Sequence, residues 1–393
     1  MKKLIPLAIL ALTLSACGGG GNGGGDSGPL SADVAVIAAR APDYSSGAIS
    51  LVNTDAPYAG QNNLNASTSD ISVRSGGDHY FRLEKFDTNQ ISRYEAATPG
   101  AATWTYSTQD ATDTGDSNPY DLIIASPTKA YLLRYGSAKM WIVNPSATTE
   151  AAFKTGEIDL SGYDTFDGIP EMAGGIIRGG RLYVVMQRLE NFSATKTGYV
   201  AVFDVATDAE ITTGAAGAAL KGVELTVRNP ANIAATPDGD LLVFATGAYN
   251  STTFAPLYDG GIERIDSTTF AKTLILDDGT PAAHPYGQIT NMAIVDNGRG
   301  YFIGSTGFAG NQTVYRFNPG AASTPVAVTG LTAGLYGALA VSPSGQLFVG
   351  LDNSAAPGVA IAGFSGGTET IITPRVDTVL TPINIDFVVV DAQ

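Results

Sequence analysis

The chain has 393 residues, of which 44% are hydrophobic and only 15% charged, with 47 glycines and a single cysteine, Cys17. Its formal net charge is −15, which argues against nucleic acid as a partner and against electrostatic adhesion to anionic lipid. One thiol cannot form an intramolecular disulfide, and two histidines, His79 and His284, cannot build a multi-histidine metal site.

Met1, Lys2 and Lys3 form a short basic segment ahead of an apolar run from Leu4 to Leu14, interrupted by Pro6 and Thr13. This is the layout of a secretory signal peptide, and the run is shorter than the ~20 residues needed to span a bilayer. The following Leu14-Ser15-Ala16-Cys17 resembles the lipobox of bacterial lipoproteins. That resemblance implies cleavage before Cys17, a diacylglycerol on its sulfur and an acylated amino terminus, hence stable membrane anchoring. Gly18 after the cysteine resembles the pattern sorted to the outer membrane, on its periplasmic or surface face. Residues 1–16 are therefore expected to be a signal peptide, and residues 17–30, mostly glycine, a lipidated flexible tether. Loss of Lys2 and Lys3 with the signal takes the charge from −15 to −17.

From residue 31 to 393 one pattern recurs: a polar turn, then a strand with a large apolar residue near its start. Arg178-Gly179-Gly180-Arg181-Leu182-Tyr183, Pro237-Asp238-Gly239-Asp240-Leu241-Leu242, Asp296-Asn297-Gly298-Arg299-Gly300-Tyr301 and Pro343-Ser344-Gly345-Gln346-Leu347-Phe348 are the clearest copies. Ser126 to Leu133 and Ser75 to Phe81 are looser ones. Aligning Tyr80, Tyr131, Tyr183, Leu242, Tyr301 and Phe348 gives intervals of 51, 52, 59, 59 and 47 residues, a mean of about 54. An apolar strand precedes each turn, a third strand follows, and a weaker fourth completes the unit. Four antiparallel strands per repeat describe a propeller blade.

Residues 31–393 hold about seven such repeats. Six turns are visible, so the seventh blade is assigned to the ends: Ile383 to Val390 as its innermost strand, with Val34 to Ala38 and Ala48 to Asn53 as its second and third. The expected fold is an all-β, seven-bladed propeller closed by pairing of N- and C-terminal strands, which removes sheet edges that would invite aggregation. The segments Asn118 to Ile124, Lys139 to Pro145 and Arg228 to Ile233 resemble the YVTN or surface-layer type of seven-bladed propeller in secreted bacterial proteins. Members with a lipobox include surface lipoproteins that capture small ligands, vitamin B12 binders among them, and other members are lactonases. The resemblance implies a fold more than an activity.

Neither Cys-x-x-Cys-His nor a phosphate-binding glycine turn opening a helix is found in the chain. His79 falls in a turn between first and second strands and His284 before a first strand, which assigns them to opposite faces. Loops entering the first strands share a face with loops joining second to third strands, and a ligand is expected there, at the channel mouth. The candidates are Asp116, Asn118, Tyr120, Asp167, Glu171, Arg228, Asn229, His284, Tyr286 and Tyr336 from entering loops, with Tyr249 and Tyr258 from the long loop 247–260. Tyrosines would supply contact area and the polar groups direction. The same Asn, Asp, Pro and Gly residues also serve as ordinary turn chemistry.

No metal site or cofactor is expected, although Asp113, Asp116 and Asp121, or Asp164, Asp167 and Glu171, would offer oxygen ligands to calcium. Neither set has EF-hand spacing. The reading that follows is a membrane-anchored binding propeller taking a small molecule, glycan or envelope protein at its channel mouth. A lactonase-like hydrolase using channel carboxylates and an envelope scaffold are the alternatives.

Overall fold

The computed structural model describes residue 30 and residues 32–390, except 215–219, 308–309 and 332–333. The expected signal peptide, Cys17 and nearly all of the tether lie outside the described residues. Among the described residues, twenty-eight strands form seven four-stranded antiparallel sheets. The innermost strands are Ile71–Ser75 (blade 1), Pro119–Ser126 (blade 2), Met172–Arg178 (blade 3), Pro230–Ala235 (blade 4), Gln288–Asp296 (blade 5), Leu335–Val341 (blade 6) and Thr381–Val389 (blade 7). In blade 7 the last strand of the chain pairs with the first, Asp33–Arg40, which pairs in turn with Gly47–Asn53 and Gly60–Ser67. Each of the six repeated turns joins the first and second strands of its blade, as the pattern of polar turn and apolar strand requires.

Among the described residues, seven apolar clusters, one for each pair of neighbouring blades around the ring, hold the core, and a small eighth of Leu189, Ala194 and Ala248 joins loops of blades 3 and 4. The strand Asp33–Arg40 shows how alternation feeds two of them. Val34, Val36 and Ala38 pack toward blade 1, whereas Ala35 and Ile37 pack toward blade 6. Successive side chains leave a strand on opposite faces, so a strand buried on both sides must be apolar throughout.

The aligned aromatic positions hold with one correction. Tyr131, Tyr183, Leu242, Tyr301 and Phe348 each pack toward the following blade, but Tyr80 faces back toward blade 7, and Phe81 takes the equivalent place against blade 2. A slip of one residue exchanges the two faces of a strand, and both residues are large aromatics, so the turn alone did not separate them.

Closure is reinforced by side chains reaching across the seam. Asn384 Oδ1 accepts from the Val73 N–H at 2.8 Å, and Asp386 Oδ2 accepts from the Ser75 N–H at 2.9 Å. Asn384→Ala should leave a largely shielded donor unsatisfied and lower stability by about 2 kcal/mol, and Ile37→Ala should cost about 3 kcal/mol through the cavity it opens. Urea denaturation checks both, and equal midpoints for parent and variants would contradict this account of the seam.

Candidate functional site

All seven innermost strands line a central cavity of about 800 Å³, within the size range of small-molecule sites. Its wall is built by a repeated irregularity. In blades 2, 4 and 5 one residue bulges from the innermost strand (Tyr120, Ala231 and Thr290), and the next (Asp121, Asn232 and Asn291) folds its side-chain oxygen onto the following backbone N–H at 2.8 Å. Bulges re-aim side chains, and here they produce a polar ring. Gly174 holds the same place in blade 3, where a Cβ would stand 2.5 Å from Asn232 Oδ1.

Blade 1 has no such bulge, and its strand places Arg74 in the channel. Arg74 Nη2 donates to Asp121 Oδ2 at 2.7 Å while its Nε bonds Oδ1, and Asp386 lies 3.9 Å from Nη1. Burial works against the guanidinium charge, but Asp121 more than offsets it and Arg74 holds its proton more firmly than usual. At the mouth, the Lys85 ammonium sits 4.2 Å above the Tyr120 ring and 3.7 Å from Asp70. Burial lowers the Lys85 pKa, opposed by Asp70 and Asp121. Arg40 stacks on the exposed Tyr44 at 4.2 Å and makes no ion pair among the described residues. The cavity lining therefore carries three cations, Arg40, Arg74 and Lys85, against two carboxylates, Asp70 and Asp121.

Of the candidate residues from the sequence, Tyr120 lines this cavity. Asn118, Glu171 and Asn229 each immediately precede an innermost strand, with φ of 47°, 47° and 54°. Their carbonyls accept from the residue that follows the second strand: Tyr135, Gln187 and Thr246 respectively. Asparagine tolerates this left-handed conformation and glycine serves at Gly287 in blade 5, so two of the candidates shape the loop through their backbone. Asp116 bonds Asn89, Asp167 caps the Ile169 N–H, and Arg228 lies 3.4 Å from Asp259. Tyr258 is buried and stacks on His284 at 4.1 Å, while Tyr249 remains partly exposed. Tyr286 packs edge-on against Phe302 and Tyr315, and Tyr336 is buried between blades 5 and 6.

The carboxylates proposed for calcium are engaged separately. Asp113 pairs with the fully buried Arg134, Asp121 with Arg74, and Asp164 with Lys196 at 3.3 Å. Among the described residues, no three metal-ligand side chains converge at the channel.

Sequence reasoning missed Arg40, Tyr44, Asp70, Arg74 and Lys85 as site residues. A detectable signal was Arg74, a cation inside a strand whose alternate residues, Ile71 and Val73, are core.

No family model matches the chain, and no curated protein does. Solved structures do. A protein of Bacteroides uniformis, provisionally named a 6-phosphogluconolactonase, superposes with a TM-score of 0.58 at 11% identity, over 91% of this chain and 100% of its own. A Lactobacillus plantarum protein gives 0.60 at 13%, over 90% and 99%. Virginiamycin B lyase from Staphylococcus aureus gives 0.51 at 11%, over 78% and 85%. The likeness is one of fold.

Two measurements test this geometry. Asp113→Asn leaves the buried Arg134 charge without its counterion and should destabilise the protein by about 3 kcal/mol in urea denaturation. Burial pushes Glu171 up from 4.5 to about 8, with Asp167 and Asp164 adding to the shift. The folded state then holds a proton that the unfolded state releases, so stability falls as pH rises from about 4.5 to about 8. Glu171→Gln should reduce that fall, giving a smaller loss of melting temperature between pH 5, near the foot of the window, and pH 9, about a unit above it. An unchanged pH profile would contradict the buried neutral carboxyl.

Proposed function

We propose that this propeller is an extracytoplasmic binding protein whose channel mouth takes a small anionic, hydroxylated molecule. The carrying observation is the charge balance of the cavity lining, three cations against two carboxylates, in a chain of net charge −15. A local excess of positive charge within an acidic protein focuses an anion on that spot. Arg40 and Lys85 are the groups offered to it, because Arg74 is committed to Asp121. Tyr44, exposed and carrying Arg40 on one face of its ring, supplies the other face for the ligand's carbon skeleton, and the Asn232 and Asn291 amides line the depth.

The placement of the chain start supports display from a membrane. Asp33 begins a second strand, so the chain joins the propeller on the face opposite the mouth. A tether from a lipidated Cys17 to Leu30 would span at most about 45 Å and leave the mouth facing away from the bilayer.

A hydrolase acting on sugar lactones is the second reading, favoured by the provisional lactonase name of a structural neighbour. Its weakness is chemical: of the two lining carboxylates, Asp121 is bound by Arg74 and Asp70 stands 3.7 Å from the Lys85 ammonium, so neither stands free as a base.

The two separate in one experiment. Thermal stability should rise with 6-phosphogluconate, and Lys85→Ala and Arg40→Ala should each weaken binding by about 10-fold. Release of acid from the corresponding lactone, followed in a pH-stat, should match the uncatalysed rate. Turnover lost in Asp121→Asn would establish the hydrolase, and binding indifferent to both cation variants would exclude the mouth.

A further inference from the structure

On the face opposite the mouth, Asp78, His79 and Glu95 bring their ligand atoms within 4.8 Å of one another. The strand register explains the convergence. His79 in the second strand of blade 1 pairs directly with Glu95 in the third, so both side chains leave the sheet on the same side. Asp78, in the preceding turn, places Oδ1 at hydrogen-bond distance, 2.8 Å, from His79 Nδ1, a contact that an ion would replace by moving the two atoms a few tenths of an ångström apart.

The imidazole is seated on more than this contact. Phe81 meets it edge to face, with ring centroids 5.2 Å apart at 84°. Gly76 provides the room, since a Cβ there would stand 2.7 Å from Nε2. With Nε2 turned to the Gly76 backbone, Nδ1 is the nitrogen presented to Asp78. Glu95 is positioned in a similar way: Arg93 at 3.1 Å and the Thr103 hydroxyl at 3.3 Å both act on Oε1, so its second oxygen can serve a cation without breaking them. The Asp78 side chain is 57% exposed and that of His79 17%, leaving the remaining positions to water.

We propose that Asp78, His79 and Glu95 bind a divalent transition-metal ion of the Zn²⁺ type, completed by solvent. One imidazole nitrogen with two carboxylates suits Zn²⁺ or Co²⁺; calcium and magnesium take oxygen ligands, and Cu(I) favours sulfur. The site has a structural consequence. The carbonyl of Gly77, in the same turn, accepts from the N–H of Val389 at 2.9 Å, in the strand that closes the ring. An ion joining the turn to the third strand braces the seam between blades 1 and 7.

The test uses the purified chain carrying C17S, which removes its one thiol. Titration with ZnCl₂ by calorimetry should show one saturable site per chain in the micromolar range, and CoCl₂ should give visible absorption bands bleached by Zn²⁺. His79→Gln and Glu95→Gln should each weaken binding by about 10-fold or more, while His284→Gln leaves it unchanged. Zn²⁺ should raise the melting temperature of the parent and not of His79→Gln. Should His79→Gln fail to fold, Glu95→Gln and Asp78→Asn carry the same test. Absence of saturable binding below the millimolar range, or undiminished affinity in the folded variants, would overturn the proposal.

Discussion

Everything in this structure depends on the pairing of the chain's last strand with its first. Thr381–Val389 and Asp33–Arg40 run antiparallel from Asp33 opposite Val389 to Arg40 opposite Thr381. Without it, blade 7 would lose its innermost strand, and blades 1 and 6 would each expose an apolar face now shared through Val36 and Ile37. Hydrophobic burial between blades is therefore cooperative around the ring. The seam is also bridged by direct side-chain hydrogen bonds, through Asn384 and Asp386.

Closure also creates the channel. Each innermost strand contributes one wall, and a bulge after the strand's first residues turns a polar side chain inward in blades 2, 4 and 5. Blade 1 departs from this pattern, and the departure matters for chemistry: its regular strand carries Arg74, whose pairing with Asp121 ties blades 1 and 2 across the channel. Lys85 and Arg40 then stand at the mouth with much weaker commitments, Lys85 3.7 Å from Asp70 and Arg40 stacked on Tyr44.

The blade count, the strand order and the assignment of both chain ends to one blade were legible because burial on both faces forces continuous apolar runs, and glycine-rich turns punctuate them. His79 and His284 were placed on opposite faces by topology alone, and they lie there. The site was much less legible. Asn118 and Asn229 stood out as polar residues near the mouth, but their left-handed φ values make them elements of the turn. Tyr336 is aromatic and close to an innermost strand, yet it belongs to the core between two blades. Which way such a residue points is decided by a bulge of one position, and composition carries no record of that. Arg40 and Lys85 sit at the ends of second strands, where a cation is unremarkable until the ring brings the strands to a common mouth.

An anion with an anomalous signal tests the central claim directly. Crystals grown at low ionic strength and soaked in sodium selenate should show an anomalous peak at the channel mouth, within hydrogen-bond reach of Lys85 and Arg40. Peaks confined to other surfaces, with the mouth empty, would contradict an anion-binding channel.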